Sequence, residues 1–214
     1  MHMINYGAIL IFIMGNKLVL VGKAWILVLL LTSGQAWAED SRQQKWALST
    51  YSGIFTSKSY GQTLWEWPGD TEKKYLHALS LTRHLGDWGE HLSFELEGIL
   101  AQHHGRHKKG RQSYQEYVGV LSLRYHSFPW DNYLNTSFAF GKGFSFASQK
   151  PEREVQKDGE SQRWLNYLNT ELAVQWPWNS NWELLYRIHH RSGFFKVFSD
   201  GGSNFYCLGL RYRF

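Results

Sequence analysis

The chain has 214 residues, a formal net charge of +5, 17% aromatic and 19% charged residues, and one cysteine. Cys207 alone excludes an intrachain disulfide framework. Beyond the N-terminal region no apolar run is long enough to cross a bilayer as a helix, and the mild basic excess gives no reason to expect a nucleic-acid partner.

The first segment reads as a leader. Lys17 and Lys23 precede the apolar run Ala24 to Leu31, and Ala36-Trp37-Ala38 supplies an A-x-A site before Glu39-Asp40. Residues 1–38 are therefore expected to be a signal peptide, with 39–214 as the mature domain. A second apolar stretch, Tyr6 to Ile13, leaves Met1 and Met14 both open as the biological start.

Residues 39–214 show eight segments of alternating polarity, at 45–56, 75–85, 91–103, 114–126, 132–143, 164–176, 182–192 and 205–214. A period of two sends successive side chains to opposite faces of a strand. Each segment is near the roughly 9–11 residues a tilted membrane-spanning strand needs. The predicted fold is all-β: a single eight-stranded antiparallel up-and-down transmembrane β-barrel. A mean hydropathy of −0.43 does not oppose this, because alternation hides such strands from hydropathy averaging.

Connection lengths are expected to alternate. Gly86 to Glu90, a turn around Pro129-Trp130-Asp131, and Pro177 to Asn181 are short, whereas the other connections, including 148–163, read as longer. Short periplasmic turns and long extracellular loops follow that pattern. Trp88, Trp130, Trp176, Trp178 and Trp182 then fall at the periplasmic ends, as an interfacial belt.

Face assignment follows from register. Leu92, Phe94, Leu96 and Leu100 face lipid on the third segment, with Ser93, Glu95 and Glu97 inward. Trp164, Leu168, Leu172, Val174 and Trp176 face out on the sixth, with Asn169, Glu171 and Gln175 inward. Side chains fill so narrow a barrel, so Glu95, Glu97 and Glu171 are expected to pair internally with Arg124, Arg187, Arg211 and Arg213. The stretch His103 to Arg111 is expected to be an extracellular basic loop suited to lipid phosphates. Its three histidines lack an accompanying carboxylate in sequence, so no metal site is expected there.

The seventh segment changes character along its outer face. Trp182, Leu184, Tyr186 and Ile188 suit lipid, and the next two positions in register are His190 and Ser192. A hydroxyl nucleophile needs a neighbouring base, for which imidazole is the usual group. Two residues of strand advance about 6.5 Å, so the pair can meet. His189 is expected to face the lumen as a hydrogen-bonding partner.

The stretch Tyr186 to Gly193, a glycine-containing loop and the final strand ending Leu210-Arg211-Tyr212-Arg213-Phe214 resemble the PagL-type lipid A 3-O-deacylases. That resemblance implies an outer-membrane serine esterase, with His190 as base and Ser192 as nucleophile. It implies lipid A or lipopolysaccharide as substrate and the bacterial outer membrane as location. No cofactor follows, and a homodimer is left open. Two positions depart from the family: Gly193 stands where an Asn usually follows the serine, and Asn204 stands where the family has Glu. Asn204 is therefore the third catalytic candidate, with Asp200 as the alternative acid. Gly193, Gly201 and Gly202 would let backbone N–H groups approach an oxyanion. The rivals are a non-enzymatic structural or adhesive barrel and, less favoured, a lipid A acyltransferase.

Overall fold

In this computed structural model the described residues are 44–66, 70–107, 110–152, 154–155, 159, 161–175, 181–193 and 202–214. The expected signal peptide lies outside them, as do Trp176, Trp178, Asp200 and Gly201. Eight strands form one closed antiparallel barrel in sequential order. They are β1 (Trp46–Thr56), β2 (Thr71–Trp88), β3 (Leu92–His107), β4 (Gly110–Tyr125), β5 (Asn135–Ala147), β6 (Trp164–Gln175), β7 (Trp182–Ser192) and β8 (Gly202–Arg213). A short helix, α1 (Tyr60–Trp65), lies in the β1–β2 connection.

Closure depends on the C-terminal strand. β8 pairs with both β7 and β1, and Phe214 exchanges backbone hydrogen bonds with Trp46 at 2.8 and 3.0 Å. The ring of strands closes on itself, so around the barrel wall each strand has a hydrogen-bonded neighbour on both sides, as an apolar solvent demands. The alternation read from sequence is reproduced in burial. On β3, Phe94, Leu96 and Leu100 are exposed while Ser93, Glu95 and Glu97 are buried. Apolar side chains cover the outside and charged ones fill the inside, the inverse of a protein folded in water.

The lumen is a packed ion-pair network. Glu171, fully buried, accepts from Arg124 at 2.6 Å, Arg187 at 2.5 Å and Arg211 at 2.9 Å. Glu95 pairs with Arg124 and Arg213, Glu97 with Arg187, and Glu183 with Arg211 and Arg213. The expected members are all present, and Glu183 joins them. Each of these four carboxylates thus has a guanidinium partner, which offsets the large cost of removing the charges from water. Cys207 is buried in the interior as its register requires; a Cβ at Gly53 would stand 2.5 Å from its sulfur, so a glycine is needed opposite it.

Two expectations are corrected. Most of the stretch His103 to Arg111 is strand rather than loop: β3 runs on to His107 and β4 begins at Gly110, pairing Arg106 with Arg111 and His107 with Gly110. The ladder extends because backbone pairing satisfies N–H and C=O groups whether or not the side chains alternate in polarity. Here both faces are polar, so the signal vanishes while the strand persists. Consequently His103 is not a loop residue but a buried lumen residue. The fifth strand also runs later than expected, Asn135–Ala147 rather than 132–143, because Phe128 to Leu134 is held as a turn by Asp131.

Candidate functional site

β7 carries two chemistries on opposite faces. Trp182, Leu184, Tyr186, Ile188, His190 and Ser192 fall on the outer face, and Glu183, Leu185, Arg187, His189 and Arg191 on the buried inner face. His190 and Ser192 are thus at the upper end of the outer wall, the end that also bears α1. Register places Asn204 of β8 directly opposite His190, and Gly202 opposite Ser192. On the other side of β7, Leu168 and Asn166 of β6 stand opposite His190 and Ser192.

The hydrogen bonds around Asn204 fix the tautomer of His190. Asn204 Nδ2 donates to the backbone carbonyl of Lys58 at 2.6 Å, which turns the amide oxygen toward β7. That Oδ1 is the partner of His190 Nδ1. An amide oxygen only accepts, so Nδ1 carries the proton and the lone pair lies on Nε2. This is the state in which an imidazole can remove a proton from a hydroxyl. Asn204 is 4% exposed although its strand face is the outer one, because the β1–β2 connection folds over it.

That connection was not expected to contribute. Ser59 caps α1 by accepting from the backbone of Gln62, whose side chain returns to the Ser59 backbone, a reciprocal capping box. The cap starts the helix at Tyr60, whose ring lies over His190 with centroids 4.6 Å apart and planes 32° apart. The Tyr60 hydroxyl is fixed by Thr170 Oγ1 at 2.5 Å, and burial pushes its phenol upward so that it stays protonated. Tyr206 donates to the Glu66 carbonyl at 3.0 Å and anchors the far end of α1. His190 is therefore held in its plane by Asn204 and over its face by Tyr60.

Below this pair the wall opens into an apolar groove of about 780 Å³ between α1 and the outer faces of β5 to β8. Leu64 and Trp65 line one side, and Phe138, Phe140, Ile188 and Leu208 are among the residues on the other. Its size is within the roughly 300–1,000 Å³ typical of small-ligand pockets.

Asn166 was also overlooked. Its side chain is on the outer face opposite Ser192, it is 4% exposed, and its Nδ2 is buried without a hydrogen-bond partner among the described residues. Cross-strand neighbours have Cβ atoms about 4.5–5.5 Å apart, so this donor sits within reach of anything bonded to Ser192. A buried unpaired amide N–H is costly unless some other acceptor completes it. At Gly202 an added Cβ would lie 3.6 Å from Ser192 Cβ, so glycine keeps that side of the serine open. Asp200 and Gly201 lie outside the described residues, and Gly193 is buried next to Ser192.

The architecture is that of the small outer-membrane barrels. The solved structure of the outer membrane enzyme PagL superposes with a TM-score of 0.57 at 10% identity, covering 78% of this chain and 98% of that one. The outer membrane protein OprG from Pseudomonas aeruginosa gives 0.41 at 12% identity over 80% of this chain and 96% of its own. The Ail attachment invasion locus protein of Yersinia pestis gives 0.37 at 15% identity over 80% and 99%. No protein-family model matches the chain, and neither does the sequence of any curated protein.

Proposed function

We propose that this protein is an outer-membrane serine esterase that hydrolyses an ester-linked acyl chain of lipid A, working from the lipid-facing wall of the barrel. The observation that carries the reading is the orientation of His190: the Lys58 carbonyl orients Asn204, and Asn204 holds the proton of His190 on Nδ1. The groove supports the substrate class. It is apolar, opens on the outer wall and is lined by Tyr60, whose ring lies over the imidazole, so an acyl chain can occupy it while its ester reaches toward His190 and Ser192. The bacterial outer membrane is the location consistent with the fold and with the resemblance of the C-terminal strands.

In this reading His190 Nε2 takes the proton of Ser192 Oγ as the oxygen attacks the ester carbonyl carbon. The carbonyl oxygen becomes an oxyanion, which the Asn166 amide N–H receives. Collapse breaks the bond to the sugar oxygen, which leaves with the proton from the imidazolium. Water, deprotonated by His190, then attacks acyl-Ser192 and releases the fatty acid. Asn204 supplies orientation without a negative charge, so it stabilises the imidazolium less than a carboxylate does.

That same residue favours a second reading, a non-enzymatic small barrel in which His190 and Ser192 are polar rim residues. Mass spectrometry of lipid A from cells with and without the protein separates the two. Loss of one ester-linked acyl chain with the wild type, but not with Ser192→Ala, supports the esterase. Unchanged lipid A in all cells would sink it in favour of the structural barrel.

A further inference from the structure

Behind the wall that bears His190, the next residue inward belongs to a second cluster. Glu116 on β4, His103 on β3 and His189 on β7 converge in the lumen, all at most 4% exposed. Glu116 Oε2 lies 2.6 Å from His103 Nε2 and 3.1 Å from His189 Nε2, and the three atoms lie within 4.8 Å of one another. We propose that these residues form a binding site for a divalent transition-metal ion of the zinc, nickel or cobalt type.

Charge is the first argument. Among the described residues, Glu95, Glu97, Glu171 and Glu183 in the lumen each pair with arginine. Among the described residues, Glu116 is held instead by two imidazoles and by the Ser145 hydroxyl at 2.5 Å. A buried carboxylate without a permanent cation calls for another positive charge. Two imidazole nitrogens and one carboxylate oxygen are the donor set that such ions take, with a further position for water.

The surroundings are the second argument. His189 Nδ1 faces the Tyr167 hydroxyl at 3.1 Å and the Tyr51 hydroxyl at 3.5 Å. If Nδ1 donates to these oxygens, the lone pair of Nε2 is aimed at Glu116 and available to an ion, the usual outer-shell device of metal-bound histidines. The His103 ring is held flat against Tyr114, with centroids 4.5 Å apart and planes 5° apart. Ser145 fixes the second oxygen of Glu116. The carboxylate oxygen stands 2.6 and 3.1 Å from the two imidazole nitrogens, and the three atoms lie within 4.8 Å; ligand atoms of a tetrahedral zinc ion stand about 3.3 Å apart, so side-chain shifts on the order of 1 Å would admit one. His103 also lines a cleft of about 20 Å³ shared with Glu154, Ser203 and the β3–β4 hairpin, space for roughly one water and a route inward from the upper end.

The test uses the full mature barrel purified in detergent, stripped with a chelator, and titrated separately with Zn²⁺, Ni²⁺ and Co²⁺ by calorimetry. Saturable uptake of one ion per chain is expected, with a Co²⁺ ligand-field spectrum and a higher thermal midpoint. Glu116→Gln and His103→Gln should each weaken binding by about 100-fold or more, whereas His104→Ala, on the outer face of the same hairpin, should leave it intact. If either lumen variant fails to fold, the Co²⁺ spectrum of the wild type still reports whether nitrogen and oxygen ligands surround the ion. No saturable uptake by the wild type, or equal uptake by both lumen variants, would overturn the site and leave a hydrogen-bonded His-Glu-His cluster.

Discussion

His189 and His190 are consecutive, yet one is 1% exposed in a charged lumen and the other is half-buried on an apolar wall. The inner histidine is surrounded by Glu116, Tyr51 and Tyr167; the outer one by Asn204 and Tyr60. A two-residue period lets one strand serve two solvents, and the ladder keeps both sets of neighbours in register. The inner set is over-determined by paired charges. The outer set depends on a few groups delivered by a neighbouring strand and a single helical turn, so the two sides should respond differently to substitution.

The largest difference should appear in stability. Glu171→Ala leaves three buried guanidinium groups short of a partner, and removing one member of a buried pair costs about 3–5 kcal/mol. Leu184→Ala on the exposed wall should cost much less, as seen in urea-unfolding midpoints of the barrel in lipid vesicles. Equal losses would erase the distinction between the two sides.

On the outer wall, Asn166→Ala should lower ester turnover by about 10²–10³-fold, the usual cost of losing one oxyanion donor. KM and the unfolding midpoint should change little, whereas a purely structural Asn166 would show the opposite split. Asn204→Ala should cost about tenfold in turnover, roughly 1.4 kcal/mol, and move the pH profile, since the imidazole loses its orienting acceptor. A profile unmoved by this variant would remove Asn204 from the site.

The smallest effect concerns the upper end. Glu154, fully buried, accepts from Ser161 at 2.5 Å and Ser203 at 3.2 Å, and lies 3.5 Å from Arg191. Burial holds its carboxyl above the usual carboxylate range, against the pull of Arg191. The state with Glu154 buried therefore binds a proton more tightly than one in which it reaches solvent, and this burial becomes less favourable as pH rises from the ordinary glutamate range through the raised value. The protection factor of the Ser203 amide, its exchange compared with an unprotected amide at the same pH, should fall over that interval in the wild type. Glu154→Gln, which cannot ionise, should flatten the dependence.

Most of the barrel was legible because its strands alternate apolar and charged residues, and the faces of β3, β6, β7 and β8 follow directly. Legibility ended where that contrast ended. The upper β3–β4 hairpin is polar on both sides, so His103 was read as a loop residue and its approach to Glu116 went unseen. α1 has six residues and shows no apolar period, although Ser59-Tyr60-Gly61-Gln62 carries a readable cap. Asn166 was on the outer face by count, but its placement opposite Ser192 depends on the pairing register of β6 with β7, which neither strand encodes alone.

The central claim is that the outer wall holds a serine activated by His190. It is tested most directly by treating the purified barrel with an alkyl fluorophosphonate and locating the adduct by peptide mass spectrometry. Stoichiometric labelling of Ser192 is expected, lost in His190→Ala and slowed in Asn204→Ala. An unlabelled Ser192, or labelling that persists at the same rate in His190→Ala, would contradict it.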